Sequence, residues 1–299
     1  MALLLGAVAY DPKVVTIWDG FRTWLRSRDL DFDYVLYSNY ERQVCDLVDG
    51  RIDVAWNSPL AWVRARRLAA SREVPLTPVT MRDTDCDLRS VIVVRADSAV
   101  RSVTDLAGHI VATGAVDSPQ ATLLPLSLLR NSGLAPDADF AVRRFDVGVG
   151  LHGDHVGGER DAARALFAAD PADRVDAACM IDSNLLLFGR EGVLPAGAVR
   201  VLAQTPQYDH CTMTAGPSAR AQAGGGSTDG ALNPDISRFG QLLLGMDYAD
   251  ASLRPLLDLE GLKEWRPPRL SGYQHLERAV DEAGFYDGNG EITAADYRP

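Results

Sequence analysis

Strand and helix signals alternate three times within the first seventy residues, and that pattern restricts the segment to a parallel sheet covered on both faces. The apolar run Leu3–Ala9 reads as a buried strand that turns at Asp11-Pro12. Asp11 can cap a helix with Pro12 at its first position. Val14, Ile17, Trp18, Phe21 and Leu25 then recur at helical spacing and make one apolar face. Asp31–Tyr37 reads as a second strand, and Asn39 caps a helix carrying Val44 and Leu47 that stops at Gly50. Ile52–Trp56 is a third short strand, and Ser58-Pro59 opens a helix through roughly Ala70.

A second α/β run follows. Arg89–Ala96 is a β-branched strand, and Ser102–Gly108 leads into the strand His109–Thr113. A helix is expected over Ser118–Arg130 with Gly133 as its stop, then a strand over Phe140–Val147 and a glycine-rich loop over Gly148–Gly158. Helix Glu159–Ala168 and strand Val175–Met180 complete the unit, and Val199–Ala203 can carry the chain back to the first sheet. The remainder is mostly helical. Asn233-Pro234 caps a helix with Ile236, Phe239, Leu242 and Leu243 inward, and Leu253–Leu257 and Tyr273–Ala283 follow. Ala221–Gly230 reads as a flexible surface loop. The tail Asp287–Thr293 echoes an EF-hand loop but lacks its glycine and terminal glutamate, and reads as a terminus leaning to disorder.

Length and composition set outer bounds. At 299 residues and 46% hydrophobic content the chain can form about two domains. A net charge of −11 argues against nucleic acid or an anionic membrane as partner. No stretch approaches the ~20 apolar residues that a membrane span requires. The four cysteines, Cys45, Cys86, Cys179 and Cys211, form no CxxC pair and read as reduced thiols, with Cys45 and Cys179 in apolar patterns. The apolar start has no basic flank, cleavage site or lipoprotein cysteine. The chain as it stands therefore reads as cytoplasmic, and as extracytoplasmic if it is a trimmed mature form.

Several segments carry a resemblance. Gly50-Arg-Ile-Asp-Val-Ala-Trp-Asn-Ser-Pro59, Arg89-Ser-Val-Ile-Val-Val-Arg-Ala-Asp97, Val103-Thr-Asp-Leu-Ala-Gly108, Ser118-Pro-Gln-Ala-Thr-Leu-Leu-Pro125, and Trp265-Arg-Pro-Pro with Ser271-Gly-Tyr273 stand in a characteristic order. In these the chain resembles the PhnD-like phosphate/phosphonate-binding branch of the SsuA/THI5-like type II periplasmic-binding-protein superfamily. The resemblance implies an α/β fold of two lobes, each with a central mostly parallel sheet flanked by helices, closing an interdomain cleft around a small anionic ligand. The expected division is 1–95 plus 201–299 for one lobe and 96–200 for the other. An ABC permease is the implied partner.

Candidate site residues follow from both readings. Ser118 starts a helix, where a capping hydroxyl and free N–H groups can cradle an anion; the resemblance gives Ser118 and Gln120 to the oxyanion grip, with Gln120 standing in a hydroxyl residue's place. Tyr40 matches a cleft tyrosine of the family and otherwise fixes the helix entry. Asn57 and Ser58 end the third strand; Ser58 can cap the next helix, whereas Asn57 has no such duty. The loop residues His152, Asp154 and His155 are loosely spaced for a metal. The family's histidine at the next helix is replaced by Glu159-Arg160, so Arg160 as a bidentate clamp or His155 is expected to take its part. Asp182 and Asn184 match an acidic family position, and His210 lies near a second one.

Two functions stay open at this stage. The first is an ABC-type solute-binding protein or ligand sensor that needs no cofactor or metal. The second is a cytoplasmic biosynthetic enzyme on the same fold, THI5-like or menaquinone-pathway-like, for which Cys86, His155, His210 and Cys211 are the catalytic candidates and Fe or Zn the candidate cofactor.

Overall fold

A computed structural model describes residues 2–219 and 233–299, and the loop expected at Ala221–Gly230 lies outside them. In chain order the elements begin with β1 (Leu3–Val8), α1 (Lys13–Arg26), β2 (Phe32–Tyr37), α2 (Tyr40–Val48), β3 (Val54–Asn57), α3 (Pro59–Ser71) and β4 (Thr77–Arg82). Then come β5 (Ser90–Arg95), β6 (Ile110–Thr113), α4 (Leu124–Asn131), β7 (Ala141–Arg144), α5 (Gly157–Ala165), β8 (Ala177–Ile181) and α6 (Asp182–Arg190). The series ends with β9 (Val199–Gln204), β10 (Thr212–Ala215), α7 (Pro234–Leu244), α8 (Arg254–Glu260), β11 (Trp265–Arg266) and α9 (Tyr273–Glu282).

Contacts divide the chain into two compact units. Unit 1 is Met1–Cys86, Asp209–Leu270 and Gly288–Glu291; unit 2 is Asp87–Tyr208, Ser271–Asp287 and Ile292–Pro299. The expected division gave the first lobe residues 271–287 and 292–299, which also fall in unit 2, and residues 87–95 and 201–208. Strand pairing places them differently: β5 and β9 pair with each other, and β5 pairs with β8, so both strands belong to the sheet of unit 2. Val199–Ala203 accordingly does not return to the first sheet.

The sheet of unit 1 has the order β11-β4-β10-β3-β1-β2. Its β1, β2 and β3 are parallel, as the alternation of signals requires, while β10 is antiparallel to both β3 and β4. Leu3, Leu5 and Ala7 of β1 share one core with the apolar stripe of α1 and with Ile236, Phe239 and Leu243 of α7. Helices α2 and α3 lie against β1, β3 and β10. Their starts follow the capping rules: Asn39 accepts from the Arg42 N–H at 2.9 Å and Ser58 from the Ala61 N–H at 3.1 Å.

The sheet of unit 2 has the order β7-β6-β8-β5-β9. Strands β7, β6 and β8 are parallel, and β5 runs antiparallel to its neighbours. The period-two rule sorts its side chains onto two faces: Val91 and Val93 with Ala178 and Met180 on one, Ile92 and Val94 with Ala177 and Cys179 on the other. A strand buried on both faces reads as an unbroken apolar run, which is what Val91–Val94 shows.

The helix expected from Ser118 opens with one turn of π-helix over Pro119–Leu123 before α4. Pro125 explains the widening. It has no N–H to give the Ala121 carbonyl, which instead accepts from the Gly114 N–H at 3.2 Å. The tail is ordered, against the expectation of disorder. Tyr297 is buried, its ring lies 4.8 Å from that of Phe285, and Arg144 pairs with Asp296.

Candidate functional site

In an open α/β sheet the polar turns gather where parallel strands end. In unit 1 that edge carries the ends of β2, β3 and β4 and the start of β10. Tyr40, at the start of α2, is fully buried. One turn on, Gln43 donates from Nε2 to the Trp56 carbonyl at 2.9 Å and to Asn57 Oδ1 at 3.0 Å. Asn57 Nδ2 and Gln43 Oε1 are buried with no hydrogen-bond partner among the described residues. Ser58 is occupied as a cap. Asn57 Nδ2 is therefore a buried donor at this edge with no partner among the described residues, whereas its Oδ1 is held by Gln43.

Register brings the return crossover beside it, because Thr212 of β10 is the partner of Asn57. Just ahead of that pair, His210 Nδ1 lies 3.1 Å from Cys211 Sγ and 3.5 Å from Asp85 Oδ1, and the His210 N–H donates to the Asp85 carbonyl at 2.7 Å. Arg82 grips Asp85 through Nε to Oδ2 at 2.6 Å and Nη2 to Oδ1 at 3.0 Å, reaches Glu260 at 3.3 Å, and stacks over the Trp56 ring at 5.0 Å. Burial pushes the Asp85 carboxyl up, but the field of Arg82 and the hydrogen bonds from His210 and Arg82 outweigh it and hold the group at about 2. Asp209 accepts both nitrogens of Arg269, at 3.0 and 2.7 Å.

This geometry bears on the enzyme candidates. In a nucleophile–base–carboxylate triad the base uses one ring nitrogen for each partner. Here the thiol and the carboxylate share Nδ1, so His210 cannot relay a proton between them. The Cys86 thiol points at the Arg82 carbonyl, 3.6 Å away, and burial raises its pKa, which opposes thiolate formation. Asp85, His210 and Cys211 do bring O, N and S atoms within 4.8 Å of one another, the donor set for a zinc-like ion. Arg82 already covers both Asp85 oxygens, so a cation there would sit against a fixed positive charge.

In unit 2 the matching edge is formed by the ends of β6, β7 and β8. The Ser118 hydroxyl accepts from the Ala121 N–H at 3.1 Å, and the Thr122 and Leu123 N–H groups both go to the Ser118 carbonyl. Pro119 has none to offer. The expected cradle of free amides is thus largely used up inside the turn. The preceding Asp117 takes the Gly150 and His152 N–H groups at 2.7 and 3.1 Å, and Gln120 Nε2 donates to the Gly153 carbonyl at 2.9 Å. The glycine-rich loop is therefore fastened onto the Ser118 turn. His152 is fully buried with Nε2 at 3.4 Å from the Tyr297 hydroxyl, while His155 is exposed and accepts from the Gly157 N–H.

The remaining candidates of this unit separate. Arg160 pairs with Glu191 and stacks on Phe188 at 5.0 Å. Asp182 is half-buried at the first position of α6 and accepts from the Ser183 N–H at 2.8 Å. A second buried acid of this edge, beside Asp117, is Glu159, which takes the Ile181 N–H at 3.0 Å and Asn184 Nδ2 at 2.8 Å. Sequence reasoning missed Gln43, Arg82, Asp85, Asp117 and Glu159 as parts of these edges. Gln43 carried a usable signal, since it is a polar residue between Tyr40 and Leu47 on an apolar stripe.

A family model described as the periplasmic substrate-binding protein of phosphonate ABC transporters matches residues 7–273. The chain belongs to that family. It is a substrate-binding protein of the type II periplasmic-binding fold, and the solved structures agree on the fold. PhnD1 of Prochlorococcus marinus, solved with methylphosphonate, is 18% identical with a TM-score of 0.65, over 95% of this chain and 98% of that one. A Xanthomonas citri protein solved with chloride shows 17% identity and a TM-score of 0.65, over 94% and 97%. The aliphatic sulphonate-binding protein SsuA of Escherichia coli shows 21% identity and a TM-score of 0.50, over 94% and 82%. No curated protein matches. Among the described residues no helix is long and apolar enough to cross a membrane.

Proposed function

We propose that this member of the family binds a small phosphonate-type oxyanion through polar groups at the carboxyl edge of the unit 1 sheet, works outside the cytoplasmic membrane, and delivers its ligand to an ABC permease. The observation that carries the reading is Asn57 Nδ2, a buried donor at the end of β3 with no partner among the described residues. A neutral amide donor suits an oxyanion, because it binds negative charge without burying a counter-charge of its own. Tyr40 and Asn57 form the proposed contact set at the edge of the unit 1 sheet. Arg160 and Asp182 are left out, being engaged with Glu191 and Ser183. Ligand binding on this reading needs no metal or cofactor.

Isothermal titration with methylphosphonate, phosphate and an alkanesulfonate tests it. Methylphosphonate is expected to bind, and Asn57→Asp to weaken it by about tenfold or more, since a carboxylate replaces the donor with a like charge. Absence of binding by all three oxyanions would sink the proposal.

A further inference from the structure

The two buried amides at the end of β3 specify more than an anion alone requires. The main-chain carbonyl of Trp56 can only accept, so the Gln43 group facing it at 2.9 Å is the amino group Nε2. The second N–H of that group reaches the Asn57 side chain at 3.0 Å, which must answer with Oδ1. One backbone carbonyl thus fixes the orientation of both amides. Two atoms are left over: Asn57 Nδ2, a donor, and Gln43 Oε1, an acceptor. Both side chains are 0% exposed, and neither atom has a partner among the described residues. A buried polar atom left unmet is costly, so a bound group that accepts from one and donates to the other is favoured over one that only accepts.

We propose that this site selects the singly protonated form of a tetrahedral oxyanion, with Asn57 Nδ2 donating to an unprotonated oxygen and Gln43 Oε1 accepting the ligand's O–H. Gln43 is at once a contact and the residue that positions Asn57. The inference rests on the oxyanion reading above and narrows it. A phosphonate monoanion carries both P–O⁻ and P–OH. A sulfonate carries acceptors alone and leaves Gln43 Oε1 unmet, so the pair of amides discriminates between two ligand classes of nearly equal shape. Discrimination by a buried group left unpaired is the strong kind.

Titratable and charged groups surround this pair on every packed element. On α2 they are Tyr40, Glu41 and Asp46, Glu41 bonded to Arg64 of α3 at 2.7 Å and Asp46 to Tyr37 of β2 at 2.9 Å. On the approach to β10 they are Asp209, His210 and Cys211, and at the end of β4 Arg82 lies over the Trp56 ring. Their protonation alters the binding of any anion, so a ligand without a titrating proton is the necessary reference.

The test is calorimetric titration of the whole chain with methylphosphonate and with methanesulfonate, at pH values from about 5 to about 9, spanning a phosphate-type second ionisation near 6 and above. The ratio of the two affinities cancels the protein's own titrations. It is expected to favour methylphosphonate by about tenfold or more at the acid end and to fall by about tenfold per pH unit above the ligand's second ionisation. Gln43→Met, which keeps the volume and removes the acceptor, is expected to level the ratio. Asn57→Leu is the second variant: it removes the donor that both ligands use, weakens both, and leaves the pH slope of the ratio in place. A ratio that is flat with pH, or equal affinities in the unaltered chain, overturns the protonated-ligand proposal while oxyanion binding survives. Failure to bind either ligand at any pH overturns the functional reading itself.

Discussion

On the proposed reading, the side chain of Asn57 serves a bound partner more than the fold. It caps no helix, and among the described residues its one side-chain hydrogen bond comes from Gln43, which keeps the Trp56 carbonyl as a second acceptor. Asn57→Leu loses that bond and also removes a buried donor that nothing satisfies. These effects oppose each other, so the unliganded variant should stay within about 1 kcal/mol of the parent in urea denaturation. A larger loss would mark Asn57 as structural. Asp117 makes the converse case. Burial raises its carboxyl above the usual range, and His152 and the N–H groups of Gly150 and His152 only partly offset this. An acid whose pKa is higher in the folded than in the unfolded chain adds stability below its unfolded value, about 3.9. That contribution disappears as pH rises through the folded value. Asp117→Asn holds the group neutral, so its stability relative to the parent should improve between about pH 4 and about pH 7. A difference flat with pH would show that the carboxyl titrates normally. Asn57 was legible in the sequence because its position left it no bland duty. Asp117, Asp85 and Glu159 were not, because a buried acid looks like a surface acid until its N–H or guanidinium partners are placed.

At the scale of elements, the glycine-rich loop 148–158 depends on backbone that only glycine permits. Gly153 has φ +79°, and a Cβ there would lie 2.4 Å from both Gln120 Nε2 and Ser118 Oγ. Gly153→Ala therefore strains the backbone and also pushes the loop off its anchor, the Gln120 bond to its own carbonyl. The expected loss is about 1–3 kcal/mol in urea denaturation, with faster amide exchange at His152. Unchanged exchange would show that Asp117 alone holds the loop. The elements with local signals were readable: the Asn39 and Ser58 caps, the α1 stripe, and the apolar run of β5. Strands β4, β10 and β11 were not. Pro78 interrupts Thr77-Pro-Val-Thr-Met-Arg82, and Thr212-Met-Thr-Ala215 alternates over only four residues, so both become strands through antiparallel pairing with partners distant in sequence. The π-turn at Ser118 was hidden for a related reason. Pro125 was visible, but the Gly114 N–H that takes over its missing bond was not.

Over the whole molecule the acidic excess is the property most open to test. The order of segments pointed to the family, but the boundary between the units was misplaced, because β5 and β9 take their sheet from the pairing they find rather than from their own composition. Net charge needs no such context. With 41 acidic and 30 basic residues, the chain carries −11, and a field of that sign opposes the approach of an anionic ligand. The donors proposed for binding are neutral groups that act at hydrogen-bond range, where screening has little effect. Approach and retention should therefore respond differently to salt. Raising NaCl from about 0.01 M to about 0.15 M shortens the screening length from about 30 Å to about 8 Å. The association rate constant for methylphosphonate in stopped-flow fluorescence is expected to rise several-fold, with the dissociation rate little changed. A falling association rate would mean that a local positive field, with arginine as its source, governs ligand approach. It would also bring a guanidinium into the contact set that the neutral amides now occupy.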